Sequence, residues 1–146
     1  MCAVVYIIAQ KGESSKSNIP IAKTKVAPVK SQAIPRLELY SLLSLLKLVE
    51  STCSALNFRD VSVHLWSVST VALAWVQSQT HLWLPFISHR IAEIQCLVPQ
   101  AQYHHIEGNF NPGDLGTRGL SIESLINSNL CLYDLPISHE YLFMFQ

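Results

Sequence analysis

The chain opens on an unbroken apolar run, Ala3 to Ala9, rich in β-branched residues, the pattern of a strand covered on both faces. Lys11 to Asn18 then collects glycine, serine and lysine, a turn signature, after which Ala22, Thr24 and Val26 alternate with Lys23 and Lys25. The two runs predict a β-hairpin. Beyond Pro35 the period changes. Leu39, Leu42, Leu43, Leu46, Val49, Cys53 and Leu56 recur every three or four residues, which predicts a helix with one apolar face, started at Pro35 and stopped at Asn57. Val61, Val63 and Leu65 alternate with Ser62, His64 and Trp66 in a short strand, and Ser67 to Ser69 can cap a helix running to Gln77. Pro85 begins a further helix that carries Phe86, Ile91, Ile94 and Leu97, and Gln102 to Glu107 reads as a last strand. A loop through Gly108, Asn111, Pro112 and Gly113 leads to Asp114, and Ser121 caps a short helix with Ile122, Leu125 and Ile126 on one side. Residues 130–146 form an apolar tail without a period. The order of elements predicts a mixed α/β fold, one sheet flanked by helices, with a single domain over residues 1–129.

Composition narrows this picture. A chain of 146 residues, 49% hydrophobic, suits one globular domain that buries roughly 70% of its unfolded surface. Ten basic residues balance ten acidic ones, which argues against a binder that relies on bulk neutralisation of phosphates. The balance is uneven along the chain, because Lys11, Lys16, Lys23, Lys25, Lys30 and Arg36 face only Glu13 in the first 36 residues. That end is expected either to meet phosphates, with Lys23, Lys25 and Arg36 as the contacts, or to be a solvated basic hairpin. Cys2, Cys53, Cys96 and Cys131 lack paired spacing, so reduced thiols and an intracellular setting are expected, and no apolar run is long enough to span a membrane. His81, His89, Cys96 and Cys131 lack the spacing of a zinc site.

Three segments place an acidic position, or what looks like a lost one, at the edge of a regular element: IPRLEL with Glu38, LWSVST with Val68, and HIEGNFNPGDLGTRG with Asp114. With AVVYI, AKTKVAPVKSQ and HRIAEIQ, these segments resemble the ribonuclease H-like domain of BEL/Pao-type retrotransposon polyproteins, a region also called the Pao retrotransposon peptidase family. The resemblance runs from Ala3 to about Asn129. It implies a five-stranded ribonuclease H fold in which four acids hold two magnesium ions that hydrolyse RNA in RNA/DNA hybrids, beside reverse transcriptase and integrase segments of a parent polyprotein. Two ions roughly 4 Å apart require several bridging carboxylates.

Carried over by residue, the family's helix glutamate falls on Glu38 and its late aspartate on Asp114. LWSVST stands where the family pattern has LWSDST, so Val68 takes the place of a metal-bridging aspartate. The family's first acid lies on a strand just upstream of AVVYI, where this sequence has only Met1 and Cys2. A degenerate domain is therefore expected, with a magnesium site reduced to Glu38 and Asp114, no stable metal and no hydrolysis; the alternatives are an active ribonuclease H whose first strand was lost in gene prediction, and a non-catalytic nucleic-acid or protein interaction module. A sheet lacking its central strand is also expected, with marginal stability, with the hairpin pairing directly on the LWSVST strand, or with a strand recruited from a partner. Asp60 lies eight residues before Val68, about 26 Å of extended chain, and cannot substitute.

Plainer roles stand beside these. Glu38 in the opening turn of a helix complements the helix dipole, and Asp114 is suited to cap one. His104 and His105 read as surface residues of a strand end, and Trp66, Trp75 and Trp83 as core. An aspartic peptidase is not indicated, because Asp60, Asp114 and Asp134 are followed by Val61, Leu115 and Leu135 rather than by Thr or Ser and Gly.

Overall fold

The computed structural model describes residues 1–11, 14–59, 61–119, 121, 123–124, 127–128 and 142–145. Two antiparallel strands, β1 (Cys2–Lys11) and β2 (Ser14–Thr24), form the hairpin. Its strands run longer than the sequence indicates, since β2 already begins at Ser14 in the segment read as a turn, and it stops before Val26, which is exposed. The register slips by one residue between Val5 and Ile7, opposite Ile19 and Pro20. Proline cannot donate to a ladder, and β2 is the sheet's edge strand, where such a bulge is tolerated.

Helix α1 (Ile34–Ala55) follows, with Leu39, Leu42, Leu45, Leu46 and Val49 fully buried. Asn57 ends it in the left-handed region, at φ 57°. Next come β3 (Val63–Ser67), with alternating burial, and α2 (Thr70–Gln77), capped by Ser69, whose hydroxyl accepts the Ala72 amide at 3.1 Å. Helix α3 (Pro85–Leu97) buries Ile87, Ile91 and Ile94, and Phe86 only in part. Strand β4 (Gln102–His105) and helix α4 (Pro112–Arg118) complete this run. Ser121 Oγ accepts the Ser124 amide at 3.2 Å as a cap should, while Ile122, Leu125 and Ile126 lie outside the described residues.

The sheet order is β2-β1-β5-β3-β4, where β5 is Leu142–Phe145. The expected gap between the hairpin and β3 is thus filled, and neither of the expected remedies is used. The filling strand comes from the far end of the same chain, antiparallel to β1 with Val4 opposite Phe145 and parallel to β3 with Val63 opposite Leu142. Pairing on both sides satisfies the inner edges of β1 and β3, whose exposure would otherwise leave unpaired amides in the middle of the sheet.

One face of this sheet, through Ala3, Val5, Val63 and Leu65, packs under α1 and α3 as the main core. The other carries Cys2, Val4, Tyr6 and Ile8, with Trp66 and Ile106 against them. Trp75 and Trp83 pack at the margin of the main core, their rings 5.6 Å apart.

Candidate active-site cleft

Glu38, Val68 and Asp114 come from three separate segments and line one cavity of about 190 Å³ together with Cys2 and Ser41. Each is delivered by local structure. Pro35 fixes the start of α1, and because the helix begins at Ile34, Glu38 is its fifth residue and falls just beyond the first turn. No acid occupies the first turn, so complementing the helix dipole, an effect of the terminal turn, is no longer a sufficient account of Glu38.

Asp114 stands in the first turn of α4. The cap of that helix is Asn111, a buried side chain that accepts the Gly113 amide at 3.0 Å, so Asp114 is not the cap. Thr117 Oγ1 donates to the Asp114 carboxylate at 3.2 Å and to its carbonyl at 2.8 Å. Val68 follows β3, 36% exposed at the cleft wall. The turn that presents it is held by Ser67 Oγ, which accepts the Ser69 amide at 3.1 Å.

Magnesium takes oxygen ligands in octahedral geometry, and a two-ion site requires carboxylates that bridge. Two carboxylates beside an isopropyl group do not supply that set. Among the described residues no three His, Cys, Asp or Glu side chains converge on one point. The donor set does not fit the two-ion centre that the resemblance implies. Asp60 lies outside the described residues.

The basic residues separate. Lys23 and Lys25 line a neighbouring cavity of about 300 Å³ that shares Met1, Cys2 and Ser41 with the acidic cleft. Arg36 instead lies 5.0 Å over the Phe86 ring. Sequence reading missed Lys47, which lines that same cavity and pairs with Glu93 at 2.6 Å. Its signal was present in the polar positions Ser41, Ser44 and Lys47, three residues apart on an otherwise leucine-rich helix.

His104 departs from its expected role as a surface residue. It is half-buried, 2.9 Å from the His64 ring nitrogen, and stacked on Trp66 with centroids 4.7 Å apart. Burial lowers the pKa of both imidazoles, and His104 lowers that of His64 further. On β4 the preceding residue, Tyr103, has its hydroxyl pKa pushed up to about 12 by burial.

Residues 1–69 match the family described as the Pao retrotransposon-like RNaseH-like domain. The matched stretch contains the hairpin, α1 and β3, and with them Glu38 and Val68. No curated protein and no solved structure matches the chain. No helix among the described residues is long and apolar enough to cross a membrane.

Proposed function

We propose that this chain, related through residues 1–69 to the Pao retrotransposon-like RNaseH-like domains, is a hydrolytically silent domain of retroelement origin. The observation that carries this reading is Val68, an apolar side chain that lines the same cleft as Glu38 and Asp114. An isopropyl group offers no lone pair to a hard cation, and the remaining two carboxylates are too few to hold and bridge two of them. A magnesium ion reaching Glu38 or Asp114 would be held weakly.

The test is cleavage of a labelled RNA/DNA hybrid by the purified chain with magnesium. No cleavage above a Glu38→Ala control is expected. Magnesium-dependent cleavage that the Glu38→Ala change removes overturns the reading.

A second reading, from a different class, is a module that binds nucleic acid without cutting it. It is favoured by Lys23 and Lys25 lining a cavity that adjoins the acidic cleft. Binding of hybrid duplex that weakens with salt, and with a Lys23→Gln change, is expected; binding indifferent to both counts against it.

A further inference from the structure

Helices α1 and α3 and the end of the hairpin border a cavity of about 320 Å³, beyond the acidic cleft, whose lining includes Lys25, Tyr40, Ser44, Lys47, Arg90 and Glu93. Lys25, Ser44 and Lys47 also line the intermediate cavity that borders the cleft, so the depressions are continuous.

The charge here is fixed and incompletely neutralised. Arg90 donates to the Tyr40 hydroxyl at 2.8 Å and to the Phe86 carbonyl at 3.1 Å, and its guanidinium stacks 3.9 Å over the Phe86 ring. These partners hold the group in place without cancelling its charge. Among the described residues no carboxylate pairs with it, and its Nε is buried with no acceptor. A buried donor without a partner calls for an explanation, and an anion beside the guanidinium supplies one. Lys25 is likewise without a carboxylate among the described residues, and Lys47 has only Glu93, in a pair whose side chains are about half exposed.

We infer that this cavity is a binding site for a phosphate group, with Arg90, Lys25 and Lys47 supplying charge and Tyr40 and Ser44 supplying hydroxyls. Guanidinium and ammonium groups that converge with hydroxyls match the tetrahedral, multiply charged oxygens of phosphate. The phosphate belongs either to a free nucleotide or to a nucleic-acid strand that continues along the groove toward Glu38. The second source deepens the binding-module reading and rests on it; the first stands without it. Glu93 competes with the ligand for Lys47.

The experiment uses the full chain and two probes, a fluorescent nucleoside triphosphate and a fluorescent single-stranded oligonucleotide, each followed by anisotropy across a salt series. Lys25→Gln and Lys47→Gln are expected to weaken binding about tenfold and to lower the salt slope for the strand by about 1 each. Glu93→Gln is expected to strengthen binding several-fold, a gain that a merely structural role for the Lys47 pair does not produce. Circular dichroism melts verify that each variant is folded. Response of the nucleotide alone identifies free phosphate as the source, and response of the strand alone identifies the backbone. The inference is overturned if neither probe binds, if binding ignores both lysines, or if Glu93→Gln weakens it. Loss of binding with Lys23→Gln but not with Lys47→Gln leaves the hairpin reading standing and removes this site.

Discussion

His64 on β3 and His104 on β4, forty residues apart in sequence, face each other with ring nitrogens 2.9 Å apart and ring planes 11° from parallel. One ring must donate and the other accept, so the contact needs at least one neutral imidazole. Both pKa values are lowered by burial, that of His64 also by His104. A group whose folded pKa lies below its unfolded value contributes stability above the unfolded value, about 6.5 for histidine, and loses it as pH falls through the folded one. The melting temperature is therefore expected to drop between pH 7 and pH 5, and His104→Gln to flatten that drop. Thermal melts across the range check it; a melting temperature that rises on acidification excludes this account.

Val68→Asp places a third carboxylate in the cleft with Glu38 and Asp114. The variant is expected to gain a magnesium-dependent rise in melting temperature, reversed by chelation, that the parent lacks. At a hundredfold excess of ligand over its dissociation constant the gain is about 2.7 kcal/mol. Equal magnesium response in parent and variant argues against Val68 facing the acids.

Gly116 on α4 meets β1 closely, for a Cβ added there would lie 2.6 Å from Cys2 Sγ. Alanine improves helix propensity by about 1 kcal/mol, yet overpacking costs about 1–3 kcal/mol, so Gly116→Ala is expected to destabilise. Cys2→Ala removes the sulfur and should recover the loss. A double-mutant cycle in urea measures the coupling; additivity of the two changes contradicts the contact.

Strand β5 pairs on both sides, so Phe143→Pro deletes a ladder amide in the middle of the sheet. The expected cost is about 1–3 kcal/mol or more for the partner left unpaired. Hydrogen exchange locates the effect, with Val5 and Leu65, each buried on a strand flanking β5, expected to lose protection before the amides in the middle of α1. Unchanged exchange at both residues would place β5 outside the sheet.

Most elements were legible in the sequence because their signals are local. The spacing of Leu39, Leu42, Leu46 and Val49 makes one helix face, and Ser69 caps α2 through an amide three residues away. Glu38, Val68 and Asp114 were legible through the resemblance to the retrotransposon domains, and the fold brings all three to one cleft. The start of β2 was misplaced because serine and lysine are permitted in an edge strand as well as in a turn.

The sequence by itself determined the periods and the caps, since each depends on residues within one or two turns of one another, and through its resemblance to the retrotransposon domains it marked Glu38, Val68 and Asp114. Tertiary structure alone decided that residues 142–145 fill the centre of the sheet, that His104 stacks on Trp66 rather than facing solvent, and that Lys47 and Arg90 border one cavity. A strand's hydrogen bonds point sideways to partners that chain order does not specify. Side-chain partners on different elements are set by which faces pack together, so no local pattern encodes them.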